Sequence, residues 1–213
     1  MIVFGMMTFA VLTSLSTTAQ AEEPSRWTVK TGIILVDAST PFSIDKPSGG
    51  QVYAGGNAEI GVSIAMEYRL SDLIGLELGA AYAKSPDIDD STNENNDELG
   101  EGPSFLPLTF GANFYLMESE QFEVYVGPRV AFVQFGDFDL DIDGVSTAFD
   151  VDDEFAWGAT AGMNYRFGDS RWSFVAEATY LDVDMTITEQ GTAEVTTSEF
   201  DPLMFNLGVS YRF

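Results

Sequence analysis

The sequence contains no cysteine and no histidine among its 213 residues. Without them the chain has no disulfide, thiolate nucleophile, imidazole base or Ser-His-Asp triad, which excludes the commonest hydrolytic mechanisms. Basic residues are also scarce, since nine Lys and Arg stand against 34 Asp and Glu and the formal net charge is −25. Phosphate backbones repel such an acidic chain. We therefore expect neither an enzyme nor a nucleic-acid-binding protein.

Long hydrophobic runs are absent beyond the first residues. The only sustained apolar run extends from Ile2 to about Leu15, and small or polar residues follow it to the end of Ala19-Gln20-Ala21. A membrane-spanning helix needs about 20 apolar residues, whereas a secretory signal has an apolar core of roughly 7–15 residues followed by small ones. The pattern predicts a signal peptide at residues 1–21 and a single mature domain at residues 22–213.

The mature chain is rich in period-two alternation, which is typical of strands with two different faces. In the last segment every second residue is apolar, at Phe205, Leu207, Val209, Tyr211 and Phe213. The residues between them are small or polar. The same alternation recurs in segments that begin at Ile60, Ile74, Leu106 and Trp157, and three less regular segments span residues 27–36, 122–135 and 172–187. The total is eight strands.

Three features favour a membrane barrel over a soluble β-sandwich, which also alternates. Aromatic residues stand at strand ends, where headgroups meet hydrocarbon. Short turns alternate with long connections at residues 37–57, 85–104, 136–154 and 188–202. The chain also ends on an aromatic residue, Phe213. We predict an all-β fold, an eight-stranded antiparallel up-and-down transmembrane β-barrel of the bacterial outer membrane, with both termini in the periplasm and the long connections outside.

Charged residues fall on the inward face of several predicted strands. They are Lys30, Glu67, Arg69, Glu77, Glu123, Arg129, Arg166, Glu177 and Arg212. Side chains fill the interior of an eight-stranded barrel, and an unpaired buried charge costs several kcal/mol. We therefore predict ion pairs that close the periplasmic half of the lumen. Such pairs serve interior packing or, alternatively, a proton or ion relay.

The inward face becomes apolar toward the outer end. Val133 and Phe135 of the fifth segment and Leu181 of the seventh lie there, with Val175 deeper on the seventh. A dry pocket for an apolar ligand needs such residues, whereas a water-filled pore does not. Core packing of the same side chains is the alternative.

Two of the long connections are crowded with acidic residues. In the second of them Asp139, Asp141 and Asp143 precede a glycine and Asp150 occupies the twelfth position, which is the ligand spacing of a calcium loop. An EF-hand also needs flanking helices, whereas the residues between these aspartates alternate as a strand does. Calcium at these four aspartates is therefore one hypothesis, and a solvated acidic rim is the other. No other cofactor is expected.

Several short motifs resemble the OmpW family across residues 26–213. They are Asp72-Leu73-Ile74-Gly75-Leu76-Glu77-Leu78, Ser104-Phe105-Leu106-Pro107-Leu108-Thr109, Tyr125-Val126-Gly127, Ala156-Trp157-Gly158-Ala159, Tyr180-Leu181-Asp182-Val183-Asp184 and Asp201-Pro202. The resemblance implies an eight-stranded barrel that passes small hydrophobic molecules. The alternative is a structural or adhesive barrel of the OmpX type that acts through its acidic loops.

The expected partners follow from this assignment. They are outer-membrane lipid and lipopolysaccharide, a small hydrophobic ligand and, through Phe213, the barrel assembly machinery.

Overall fold

The computed structural model describes residues 26–38, 42–45, 51–54, 59–84, 88–89, 98–100, 102–142, 145–190 and 195–213. The predicted signal peptide lies outside these residues. Within them, no helix is long and apolar enough to cross a membrane. The described residues contain sixteen strands, which in chain order are β1 (Trp27–Ala38), β2 (Phe42–Asp45), β3 (Gln51–Ala54), β4 (Glu59–Ser71), β5 (Ile74–Lys84), β6 (Ile88–Asp89), β7 (Glu98–Gly100), β8 (Ser104–Glu118), β9 (Phe122–Phe135), β10 (Phe138–Ile142), β11 (Val145–Val151), β12 (Glu154–Arg166), β13 (Trp172–Asp182), β14 (Asp184–Glu189), β15 (Val195–Glu199) and β16 (Pro202–Arg212).

Eight long strands form a closed antiparallel barrel in the order β1, β4, β5, β8, β9, β12, β13, β16. The first and last strands close it, with Gly32 paired to Gly208 near the middle of the seam. Closure gives every edge strand a hydrogen-bonded neighbour, so the barrel has no free edge. The eight-stranded antiparallel barrel predicted from the sequence is confirmed.

The two faces of each barrel strand differ as the alternation predicts. On β9 the side chains of Tyr125, Arg129 and Val133 are buried in the lumen, while Val126 and Val130 are exposed on the outside. The same outward exposure of aliphatic residues recurs on the other strands, for example at Ile33 and Leu207. The outside of the barrel is therefore an apolar belt.

Aromatic residues border this belt at both ends. One end, called the turn end, carries the short connections at residues 72–73, 119–121 and 167–171; the other is called the loop end. At the turn end Trp27 packs on Tyr68, with ring centroids 4.7 Å apart, and Trp172 packs on Tyr211 at 5.0 Å. Toward the loop end Phe132 and Phe155 pack at 5.0 Å. These pairs are positioned to form interfacial girdles.

The long connections contain strands, contrary to their prediction as loops. Two four-stranded sheets, β2-β3-β6-β7 and β10-β11-β14-β15, repeat the strand order of the barrel beneath them. β7 lies beside β10, and β15 lies beside β2. We call these eight short strands the outer tier. They form because the hairpins that leave the barrel continue to pair, and because apolar residues on β10 and β11 remain available for the interior.

One predicted strand, residues 172–187, is divided at Val183 into β13 and β14. Asp201 causes the division: its Oδ1 accepts a hydrogen bond from the Val183 amide at 3.2 Å, and the Val183 carbonyl accepts one from the Phe200 amide at 3.0 Å. Asp201 itself has a φ of 35°, a left-handed conformation that aspartate tolerates better than most residues. The barrel and the outer tier therefore meet at a defined junction.

We expect the turn end to face the periplasm and the loop end to face the outside of the cell. Ser119 is exposed at the turn end and Asp152 is exposed at the loop end, so single cysteines at these positions are both accessible to a label. A membrane-impermeant maleimide should modify Asp152→Cys on intact cells and Ser119→Cys only after the outer membrane is breached. The reverse pattern would invert the orientation.

Candidate functional site

Lys30 is the centre of a charged cluster in the lumen. Its side chain is 1% exposed, and its Nζ lies 2.5 Å from Glu77 Oε2, 3.2 Å from Glu67 Oε2 and 3.1 Å from Glu177 Oε1. It also donates to the Tyr125 hydroxyl at 2.9 Å. These groups come from the inward faces of β1, β4, β5, β9 and β13 and meet in one layer of the lumen. Lys30 therefore makes ion pairs with carboxylates from three strands.

A second cation, Arg129, extends the cluster across the lumen. Its Nη2 lies 3.0 Å from Glu77 Oε1 and donates to Asn113 Oδ1 at 2.7 Å. The amide of Asn113 in turn donates to Glu67 at 3.0 Å and to Glu77 at 3.1 Å. Shared hydrogen bonds of this kind satisfy the remaining lone pairs of buried carboxylates, which two-body ion pairs do not.

Near the turn end three arginines converge on one carboxylate. Glu123 Oε1 lies 2.8 Å from Arg212, 3.1 Å from Arg69 and 3.5 Å from Arg166, each measured to Nη2. The other oxygen, Oε2, accepts from Asn164 Nδ2 at 3.0 Å. Arg69 also lies 3.4 Å from Glu67 and stacks over the ring of Tyr115. It therefore links this layer to the Lys30 cluster.

The structure places all nine predicted lumen charges in one network, and each makes at least one ion pair. Sequence reasoning did not include the neutral members of the network, which are Asn113, Tyr115, Tyr125, Asn164 and Asn206. Tyr125 donates to Glu177 at 2.5 Å, Tyr115 donates to Glu67, and Asn206 donates to Glu177 at 3.0 Å. The sequence feature that could have identified them is a polar side chain at a strand position whose alternation points it into the lumen. Together these side chains close the turn-end half of the lumen.

The predicted pocket residues are all buried, but they do not enclose one pocket. Val133, Phe135 and Leu181 belong to an apolar cluster at the loop end, whereas Val175 pairs with Asn164 and Gly208 at the level of the polar network. Phe135 packs against Phe105 and Phe200 with ring centroids 5.9 and 5.7 Å apart. Side chains therefore fill the space where a pocket was predicted.

This apolar cluster continues from the barrel into the outer tier. Phe138 and Phe149 stack with ring centroids 5.2 Å apart across the β10–β11 pair. Further buried members from the outer tier and its junctions are Leu140, Val151, Val183, Met185, Ile187 and Phe200. The part of the outer tier formed by β10, β11 and β14 thus has an apolar interior, which continues that of the barrel. Sequence reasoning missed it because Phe138, Leu140, Phe149, Val151 and Phe200 fall in segments predicted to be loops, and because Val183, Met185 and Ile187 were assigned to one continuous barrel strand.

A cavity of about 60 Å³ lies between the polar network and the apolar cluster. Lys30, Glu77 and Arg129 line it on the polar side, and Ile34 and Met204 line it on the apolar side. On the outside of the same wall lies an apolar groove of about 390 Å³. The residues that line both the cavity and the groove are Ile64, Ala65, Gly79 and Ala80. We call these four positions the thin wall, because only the paired backbones of β4 and β5 and these small or aliphatic residues separate the lumen from the outward face there.

Two prolines interrupt strand pairing. Between β5 and β8 the pairing stops at Ala80–Leu108 and resumes at Ala83–Phe105, which leaves Pro107 without a partner on β5. Between β8 and β9 it stops at Gly111–Arg129 and resumes at Phe114–Val126, next to Pro128. Proline removes a ladder hydrogen bond, so both seams are locally weaker. Pro107 also lines the 60 Å³ cavity, which places that seam beside the thin wall.

The aspartates with calcium-loop spacing lie on the β10–β11 hairpin. Asp139 is exposed and pairs with Ala148, and Asp150 accepts a hydrogen bond from Gln190 Nε2 at 2.6 Å. Asp141 is paired on β10, and Asp143 lies outside the described residues. Among the described residues no group of three or more acidic side chains is positioned to hold a metal ion. The flanking segments are strands, and calcium at this site stays a prediction.

Part of the acidic rim has a structural role at the junction between the barrel and the outer tier. Asp153 Oδ1 accepts from the Phe135 amide at 3.3 Å, and Asp137 Oδ1 accepts from the Val151 amide at 3.4 Å. Asp201 does the same for the Val183 amide. These carboxylates satisfy backbone donors where strand pairing is interrupted.

A closed eight-stranded barrel with an apolar belt, aromatic girdles and a polar interior is a membrane-spanning barrel of the bacterial outer membrane. Comparison with protein families agrees, since residues 7–213 match the family described as "Outer membrane protein beta-barrel domain". The chain belongs to this family and its location is the bacterial outer membrane. A comparison with curated protein sequences found no match.

Solved structures with the same fold include three outer-membrane proteins. The outer membrane protein AlkL in DMPC bilayers is 18% identical, with a TM-score of 0.64 over 94% of this chain and 96% of AlkL. Neisserial surface protein A is 13% identical, with a TM-score of 0.56 over 90% of this chain and 100% of the other. Ail, the attachment invasion locus protein of Yersinia pestis, is 13% identical, with a TM-score of 0.51 over 90% and 100%. At these identities the likeness establishes the fold alone.

Proposed function

We propose that this barrel passes small hydrophobic molecules from outside the cell into the outer membrane. The molecules leave the barrel through its side wall. The observation that carries the proposal is the thin wall at Ala65 and Gly79, with a lumenal cavity on one side and an apolar groove on the other. The sequence resemblance to the OmpW family supports the same function. The chain has no histidine or cysteine, and we propose no catalytic role.

The path through the barrel follows from the chemistry of its layers. An apolar solute can mix with the loop-end cluster, where Phe105, Phe135 and Phe200 must move apart to admit it. It cannot continue straight down, because separating Lys30 from its carboxylates would expose buried charges to an apolar molecule. The remaining exit is sideways, past Gly79 and the seam that Pro107 interrupts. A second weak seam, at Pro128 between β8 and β9, is the alternative exit.

A structural or adhesive barrel is the second candidate function. The extent of the outer tier and the filled loop-end lumen favour it, because an ordered outer tier presents a large acidic surface without needing a conduit. The fold shared with Ail is compatible with it but does not argue for it. Under either function we propose contacts of the girdles with outer-membrane lipid and lipopolysaccharide, and recognition of Phe213 by the assembly machinery.

Ala65→Leu is expected to reduce hydrophobic uptake strongly, because the added side chain enters a cavity of only about 60 Å³ beside Gly79. Uptake would be measured as entry of a hydrophobic fluorescent dye into cells that carry wild type, the variant or no barrel. The matched control is Ala176→Leu, the same change on the outward face of β13 across the barrel, which should leave uptake at the wild-type level.

Correct assembly of both variants is checked by heat-modifiable migration on gels. If assembled Ala65→Leu takes up dye as fast as wild type, the side-wall route is wrong. If wild type takes up dye no faster than cells without the barrel, the conduit itself is wrong and the adhesive function is favoured.

A further inference from the structure

We propose that the turn end of the lumen contains a binding site for a phosphate group, formed by Arg166 and Arg212 above Glu123. Both guanidinium groups contact the same carboxylate oxygen, at 3.5 and 2.8 Å. Their Nη2 atoms are therefore no more than 6.3 Å apart, the sum of those two distances. One tetrahedral oxyanion can bridge such a pair, because arginine matches phosphate geometry with two parallel hydrogen bonds.

The charge of this layer is not balanced. Arg69, Arg166 and Arg212 carry three positive charges around the single negative charge of Glu123. Glu67 lies 3.2 Å from Lys30 and 3.4 Å from Arg69 and offsets part of the excess. Over the whole network five cations still stand against four carboxylates, so one positive charge is left over. Converging guanidiniums repel one another, and an anion would relieve that repulsion.

The excess charge is accessible from the turn end. The side chain of Arg69 is 11% exposed, whereas those of Arg166 and Arg212 are 31% and 28% exposed. Arg69 is thus the fixed inner member, and the other two face the opening. The 3.5 Å contact of Arg166 is the longest of the three, so this side chain loses least when it turns toward a ligand.

Hydroxyl groups stand beside the two accessible arginines. Ser173 is the strand partner of both Arg166 and Ser210, and Thr28 is the partner of Arg212. All three lie on lumen-phase positions of strands that carry the arginines or pair with them, and a hydroxyl can donate a hydrogen bond to a phosphate oxygen that reaches it. Charged and neutral donors together resemble the donor sets that recognise phosphate in proteins.

The position of the site limits its ligand to a small group. At the turn end the exposed carboxylates of Asp72, Glu120 and Asp169 outnumber the exposed arginines Arg26 and Arg171 and would repel an extended polyanion. A single phosphate that enters the mouth of the lumen avoids them. Such a group can belong to a soluble phosphate ion or ester, or to the headgroup of a phospholipid in the facing leaflet.

Inorganic phosphate should raise the thermal unfolding temperature of the refolded barrel in zwitterionic detergent, saturably and beyond the effect of chloride at equal ionic strength. In Arg166→Gln/Arg212→Gln the apparent dissociation constant should rise by about tenfold or more, because two charged donors are lost. The matched control is Arg26→Gln/Arg171→Gln, which removes the same charge from the exposed rim of the turn end and should respond as wild type does. If the first variant does not assemble, Arg166→Gln alone replaces it, since its contact is the weakest.

Glu123→Gln should change the stabilisation by phosphate in the opposite direction. It raises the local excess of positive charge, so phosphate should stabilise this variant more than wild type. An equal response of the two double variants, or a stabilisation that does not saturate, would overturn the site. Weaker phosphate binding in phosphatidylcholine nanodiscs than in a phosphate-free detergent identifies a lipid headgroup as the competing ligand, and equal binding in the two identifies soluble phosphate.

Discussion

Lys30→Met is expected to lower the free energy of unfolding of the barrel by roughly 3–5 kcal/mol, the usual effect of removing one partner of a buried ion pair. The change leaves Glu67, Glu77 and Glu177 around a neutral side chain, all within 3.2 Å of the former Nζ position. Arg129 still neutralises Glu77, but Glu177 loses its only ion pair among the described residues. Reversible unfolding in urea with lipid vesicles measures the difference.

Two further variants give this prediction a defined control. Lys84→Met removes the same charge from an exposed position at the loop-end limit of β5, where even an ion pair contributes about 1 kcal/mol or less. Lys30→Met combined with Glu177→Gln should recover part of the lost stability, because one uncompensated carboxylate is removed. Equal stability of Lys30→Met and Lys84→Met would mean that the network contributes no more than surface charges do.

Leu207→Arg should destabilise the barrel by about 2–4 kcal/mol, the cost of an arginine on the lipid face at the bilayer midplane. Leu207 is near the middle of β16, is 54% exposed on the outward face, and pairs with Ile33 on one side and Ala176 on the other. No lumen group can reach an arginine there, because the side chain points away from the polar network.

The control for this prediction is Leu73→Arg. Leu73 is 68% exposed in the turn between β4 and β5, where an arginine can reach water, and the expected loss is about 0–1 kcal/mol. Both variants would be refolded into the same vesicles and compared by urea titration. If the two changes cost the same, the outward face of β16 does not lie against the hydrocarbon core.

Strand number and facing were predictable from the sequence because both depend on a local period. Alternation at Phe205, Leu207 and Val209 assigns the outward face without knowledge of any neighbour, since successive side chains of a strand point to opposite sides. The same argument placed Lys30 and Arg129 in the lumen. A closed barrel follows only with the aromatic strand ends, the alternating connection lengths and the terminal Phe213, because a soluble β-sandwich also alternates.

The heights at which charged groups lie along the barrel axis could not be predicted without the register between strands. The two-residue alternation places Lys30, Glu67 and Glu177 on inward faces. It does not give their heights along the barrel axis, which depend on the stagger of all the strands. Val175 illustrates this: it has the phase of Leu181, but the register places it beside Asn164, within the polar half. Three of the four predicted pocket residues therefore share a cluster and the fourth does not.

The sequence also does not predict where the backbones of neighbouring strands approach a glycine so closely that no side chain fits. Gly111 has the pattern of a small residue on the lumen face, which suggests room for a larger side chain. In the folded barrel a Cβ at this position would collide with the carbonyl oxygen of Pro128 on the neighbouring strand. Only the pairing of β8 with β9 reveals that restriction.

By itself the sequence determined the barrel, its two faces and the charged character of its lumen, because a two-residue period and residue polarity are local properties. Tertiary structure decided the outer tier, the thin wall at Gly79 and the convergence of three arginines on Glu123. Each of these depends on which residues of distant strands lie at the same height. Closure and register fix that height for all eight strands together, and no single segment contains the information.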